Sequence, residues 1–129
     1  MSDIIKVLKQ MEDFDSMDGG SKEEIALAEL DLNLNFAADY KKYLLEYGIA
    51  SADGHEFTGL VKSPRLNVVD VTVKLKKKFK DAPADSYVIE ELGIDDIVIF
   101  QTSDGSIYQV APMTQFIKVA DSFAEYLKK

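Results

Sequence analysis

Ile97-Val98-Ile99-Phe100-Gln101-Thr102-Ser103-Asp104-Gly105-Ser106-Ile107-Tyr108-Gln109-Val110 is the stretch that decides the fold. Two β-branched and aromatic runs flank an Asp-Gly pair, a strong hairpin signal because both residues tolerate positive φ. Ile97 to Phe100 is apolar at every position, as a strand covered on both faces would be. The pattern predicts an antiparallel sheet with Val98 and Ile99 buried on opposite sides. A two-residue tip at Asp104-Gly105 sets Gln101 opposite Tyr108 and Ile99 opposite Val110.

Tyr87-Val88-Ile89 and Phe116-Ile117-Lys118-Val119 read as further strands. Asp121 to Leu127 closes the chain as a helix with Phe123, Tyr126 and Leu127 on one side. Asn67 to Lys80 fits strand alternation through Val69, Val71, Val73 and Leu75. It also fits helical spacing through Val68, Val71 or Thr72, Leu75 and Phe79. Its length and the capping residue Asn67 favour the helix. Phe57 to Val61 reads as a short strand stopped by Pro64, and Ile49 to Glu56 as a polar loop.

Further upstream, Tyr40, Tyr43, Leu44 and Tyr47 form an i, i+3, i+4, i+7 stripe, with Gly48 expected as its left-handed closing residue. Ser21-Lys22-Glu23-Glu24 is a capping box that opens a helix carrying Ile25, Leu27, Ala28 and Leu30. Glu12 to Gly20 reads as an exposed acidic loop. Ser2 or Asp3 can cap a first helix lined by Ile4, Val7, Leu8 and Met11. Helices, strand, helix, strands, helix is an α+β order with a mainly antiparallel sheet. At 129 residues, one domain spanning 1–129 is expected.

The chain carries 15 basic and 23 acidic side chains, net −8, a sign that works against direct nucleic-acid binding. Through Pro64 there are 6 basic and 13 acidic residues, net −7, whereas Lys74 to Lys80 holds five lysines. An acidic surface of this kind suits a basic protein partner. With no cysteine there are no disulfides, thiolate metal sites or cysteine nucleophiles, which is compatible with a reducing cytoplasm. The charged amino end and the lack of a long apolar run imply neither secretion nor membrane insertion.

Catalytic chemistry is sparse. His55 is the single histidine and reads as a solvated loop side chain, although Asp53 and Glu56 beside it would raise its pKa. Asp13, Asp15, Asp18 and Glu24 put Glu24 at position 12 of a calcium loop, but the rest of the pattern fails and they read as loop acids plus a capping box. Met17 and Asp18 then fall where an oxygen ligand and the turn glycine belong. Asp95-Asp96 reads as a turn-forming pair, and no phosphate-binding or nucleophile-elbow glycine motif is present. No catalytic residue, cofactor or metal is expected.

Three segments of the amino half carry a resemblance: Glu23-Glu24-Ile25, Glu29-Leu30-Asp31-Leu32-Asn33-Leu34, and Asp39-Tyr40-Lys41-Lys42-Tyr43-Leu44-Leu45-Glu46-Tyr47-Gly48. In that order they resemble the opening of the SUKH superfamily, also called the cell-wall-assembly-regulator-like family. Tyr87-Val88-Ile89-Glu90, Ile99-Phe100-Gln101-Thr102 and Val119 to Leu127 are similar to its closing strands and helix. Asn35-Phe36 stands where the family has Leu-Pro, and Gly48-Ile49 where it has two glycines.

The resemblance implies binding rather than catalysis. Bacterial members are commonly cytoplasmic immunity proteins that neutralise a cognate polymorphic toxin, often a nuclease. Fungal members are the model for the alternative, an intracellular regulatory or scaffold module. Because binding concentrates in loops at strand ends, the expected partner-binding residues are Asp53, His55, Glu56, Glu90, Glu91, Asp95 and Asp96.

Overall fold

Among the described residues, four of the five helices begin at a side chain that takes up otherwise unpaired backbone N–H groups, and the helix that starts at Ala38 has no such cap. Asp3 accepts the Ile5 N–H at 3.0 Å and caps α1, Ile4–Lys9. The computed structural model describes residues 3–128, so Ser2, the other capping candidate, lies outside the described residues. Both reciprocal bonds of the capping box form at the head of α2, Lys22–Leu32. The Asn67 carboxamide accepts from Val69 and Asp70 at the head of α4, Val68–Lys78, and Ser122 caps α5, Phe123–Leu127. The helical reading of Asn67 to Lys80 is therefore correct.

Tyr40, Tyr43 and Leu44 of the tyrosine stripe lie in α3, Ala38–Glu46, which runs directly into β2, Tyr47–Ala52, so Tyr47, expected as the stripe's last helical member, is a strand residue. Gly48 is thus a strand residue, not a left-handed helix stop. Its small size serves close approach, since a Cβ there would lie 2.5 Å from the Asp18 carbonyl oxygen. The expected polar loop from Ile49 to Glu56 is instead a hairpin of β2 and β3, His55–Glu56. Asp53 and Gly54 at its tip both take positive φ, 48° and 80°, so the two-residue turn sits there. The expected Glu12–Gly20 loop contains β1, Asp15–Asp18, paired antiparallel with β2. All four of its residues are exposed, which removes the apolar alternation that would have announced a strand.

The carboxyl half forms β4, Tyr87–Glu91, β5, Val98–Gln101, β6, Ile107–Val110, and β7, Ile117–Ala120, in the order β4-β5-β6-β7, all antiparallel. The β5–β6 register differs by one residue from the expectation. Gln101 faces Ile107 and Ile99 faces Gln109, because only Gly105 in the Asp104-Gly105 pair has positive φ. Thr102 N–H bonds the Ser106 carbonyl at 3.0 Å, giving the three-residue turn that ends in a left-handed glycine.

Phe57 to Val61, expected as a strand, is a connector between the sheets β1-β2-β3 and β4-β5-β6-β7. Phe57 and Leu60 donate backbone N–H groups to Ala50 and Gly48, and Thr58 donates to Ile89. One sheet face is covered by Val71 and Leu75 of α4 and by Phe79 just after it, packed on Val88, Val98, Phe100 and Val110. The other holds Ile89, Ile99 and Ile107 against α1, α3 and Phe123. Val98 and Ile99 therefore do lie on opposite buried faces. Leu27 and Leu30, read as core positions of α2, are 60% and 75% exposed, and Ile25 and Ala28 alone of that set are buried.

Three fully buried tyrosines decide the cost of this core. Burying a large side chain gains about 1.5–3 kcal/mol, and leaving its hydroxyl unpaired loses about 1–3 kcal/mol. The hydroxyls must therefore be bonded. Tyr43 donates to the Thr58 carbonyl and accepts from Ala50 N–H, at 2.8 and 3.1 Å. Tyr87 donates to Gln101 at 2.6 Å and accepts from Ala37 N–H at 2.9 Å. Thr58 Oγ1 donates to the Val88 carbonyl at 2.8 Å, which makes the Tyr40 hydroxyl the donor in its 2.8 Å bond to Thr58. Thr58→Val preserves shape but strands the Tyr40 hydroxyl. Urea unfolding should show a loss of about 1–3 kcal/mol, partly relieved by adding Tyr40→Phe; unchanged stability of the single variant would contradict this role.

Candidate functional site

The antiparallel register gathers acidic connections at one end of the sheet. Phe57 bridges Glu90 antiparallel, which sets the Asp53-Gly54 tip beside the β4–β5 turn containing Asp95 and Asp96. Asp53 N–H bonds the Glu12 carbonyl at 2.8 Å, bringing the chain before β1 to the same end. Asp13, Asp53, Asp95 and Asp96 all take positive φ, between 48° and 56°. Aspartate enters this region more readily than bulkier residues because its short polar side chain can bond locally. All four and Glu12 are exposed. The β6–β7 connection ends here too, with Met113 fully exposed at φ 65°, and Ile94 is exposed on the β4–β5 turn.

Of the seven sequence-predicted residues, only Asp53, Asp95 and Asp96 present carboxylates to solvent at this end without an ion pair among the described residues. Glu56 is exposed but forms a bidentate pair with Arg65 at 2.6 and 3.1 Å. This bonding holds its carboxyl below the usual range. Glu91 is exposed and lies 3.7 Å from Lys74. Sequence reading had no means of pairing Glu56 with Arg65 or Glu91 with Lys74, which depend on how β3, β4 and α4 meet.

His55 and Glu90 are placed differently from expectation. Glu90 is 1% exposed, and His55 is partly buried rather than a solvated loop residue. Strand alternation turns both toward the core: His55 and Phe57 are two residues apart, and Phe57 pairs with Glu90. His55 Nδ1–H donates to the Glu90 carboxylate at 2.9 and 3.0 Å, and its ring stacks on Phe57 at 5.4 Å. The Tyr126 hydroxyl donates to the same carboxylate. The contact with Glu90, reinforced by Asp53, raises the His55 pKa against the opposing effect of burial. Burial and then the Glu90 charge raise that of Tyr126. The arrangement satisfies a buried carboxylate from two sides and ties β3 and β4 to α5. In the sequence, Tyr126 reads only as one of three residues, with Phe123 and Leu127, on one side of the last helix.

Glu24 serves the expected capping box, its carboxylate bonded to Ser21 N–H, whereas Asp15 and Asp18, expected as loop acids, belong to a strand. Among the described residues, no three His, Cys, Asp or Glu side chains group so as to hold a metal ion. No helix among them is long and apolar enough to cross a membrane.

A SUKH family model, described as SMI1-KNR4 cell-wall, matches residues 22–127. No curated protein matches the sequence. Among solved structures, a crystal structure of a protein from Pseudomonas syringae pv. tomato superposes with a TM-score of 0.78. It covers 99% of this chain and 96% of that chain at 13% identity, a likeness of fold.

The His55–Glu90 pair has a defined pH signature. Because the folded His55 pKa lies above its ordinary 6.5, the pair's stabilisation is full below about pH 6.5 and is lost as pH rises through the raised value. The melting-temperature gap between the unmodified chain and His55→Gln should therefore be widest near about pH 6 and narrow toward about pH 9. A gap independent of pH would contradict it.

Proposed function

The chain belongs to the SUKH family, of the SMI1-KNR4 cell-wall type, and on that premise we propose that it is a non-enzymatic immunity protein that binds and neutralises a cognate toxin domain in the cytoplasm. The observation that carries this reading is the convergence of Glu12, Asp13, Asp53, Asp95 and Asp96 from three connections at one end of the sheet. No nearby cation is paired with them among the described residues. Such a field draws in a basic partner and speeds its encounter. The adjacent exposed Met113 and Ile94 are apolar anchors of the kind that slow dissociation once docked. A nuclease domain, whose own substrate is polyanionic, presents the complementary basic surface. Binding over that surface would block access to nucleic acid.

The test is a pull-down from the native cell, followed by co-expression with any toxin-like domain that it identifies. Restored growth and a stable complex are expected, and a folded chain that neither rescues nor binds would overturn the reading in favour of a scaffold role. Within a complex, Asp53→Lys, Asp95→Lys and Asp96→Lys together should slow association several-fold at low salt. The difference should shrink as the Debye length falls below about 8 Å. Because exposed substitutions change stability by within about 0.5 kcal/mol, the fold should be retained. An unchanged association rate at low salt would rule out steering by these turns.

A further inference from the structure

β1 is paired on one side only, to β2. Ala50 gives its carbonyl to Phe57 and its N–H to Tyr43, so Ser16, opposite Ala50, makes no ladder bond to β2. Its N–H is turned outward and is taken up by the neighbouring Asp15 carboxylate at 3.0 Å. The pairings Asp15 with Ser51 and Ser51 with Glu56 put these three residues on one face of the sheet. On that face lies a shallow cavity of about 240 Å³, lined by Met17, Ile49 and Leu66 and edged by Asp15 and by Glu56, which is already paired with Arg65.

A short charged edge strand by itself serves to block unwanted pairing. Blocking does not call for an apolar cavity beside the edge or an exposed Met17. The charge pattern also selects the occupant. Glu12, Asp13, Asp15 and Asp18 line the approach, and no lysine or arginine lies between Gln10 and Ser21. A second copy would set these acids against their own images, whereas a basic strand would neutralise them.

We propose that β1 is a strand-addition site for an extended, lysine- or arginine-rich segment of a protein partner, which pairs with the outward backbone of Ser16 and seats one aliphatic side chain over Met17, Ile49 and Leu66. This extends the toxin-binding role proposed above by naming a surface, and it rests on that role only for the partner's identity. Main-chain pairing supplies affinity, and the acids with the cavity supply selectivity.

The probe is a capped peptide of about eight alternating lysine and valine residues, titrated into the isotope-labelled chain and followed by amide NMR. Shifts confined to residues 13–18 and 49–51, and weakening of at least about fivefold between roughly 50 and 300 mM salt, are expected. Asp15→Lys with Asp18→Lys should abolish the shifts. Ser16→Pro keeps the acids but removes the outward donor, and should weaken binding at least about fivefold while the melting temperature stays within a few degrees. No shifts at millimolar peptide, shifts elsewhere, or equal shifts from a glutamate–valine peptide would overturn the proposal. If the toxin complex forms and both β1 variants bind it unchanged, the site is wrong while the neutralising role stands. Peptide binding at β1 without any toxin complex would support the site and overturn that role.

Discussion

The threonine at position 58 joins the two halves of the sheet, and the placement of the surface acids depends on that join. Its N–H bonds Ile89, its carbonyl accepts from Tyr43, and its hydroxyl donates to Val88 while accepting from Tyr40. One buried residue thus links β4 to the helix that precedes β2, with every polar group paired. The close approach of backbones around it explains the neighbouring glycine. A Cβ on Gly59 would fall 1.9 Å from the Gly48 carbonyl oxygen, nearer than any side chain can be accommodated. Rings from Tyr40, Tyr43, Phe57 and Phe123 surround the join in edge or tilted contacts, so its hydrogen bonds are shielded from water.

A fixed join between the halves has consequences at the acidic end. The Asp53-Gly54 tip belongs to one half and the Asp95-Asp96 turn to the other, and they share one end of the sheet because the connector holds their register. The His55–Glu90–Tyr126 cluster adds a second tie between the halves, close to that end, and anchors α5 over it. In the proposed complex, this prior arrangement of the exposed carboxylates would lower the ordering cost of binding.

Much of this was legible in the sequence because several segments carry strong local signals. The capping box at Ser21, the Asn67 cap and the apolar run at Val98 and Ile99 each agree with their tertiary surroundings. The misreadings arise where a local rule met a stronger tertiary constraint. Asp104-Gly105 is a good two-residue turn, yet Asp104 uses its carboxylate to accept from Ser106 N–H and Thr102 Oγ1, which favours the longer turn and shifts the register by one. Gly48 resembled a helix stop because the tyrosine stripe ends there, but its role is set by Asp18 across the sheet. Glu90 reads as one more surface acid, and only the pairing of Phe57 with β4 brings His55 to its carboxylate.

The two sheets form one cooperative unit through Thr58. Native-state hydrogen exchange tests this directly, by comparing the Thr58 and Ala50 amides with that of Ile99 at the centre of β5. The account predicts that all three exchange only through global unfolding, with protection that falls in parallel as denaturant is added. If Thr58 and Ala50 instead exchange through a lower-energy opening that leaves Ile99 protected, the amino half separates on its own and the fixed acidic surface described here does not exist.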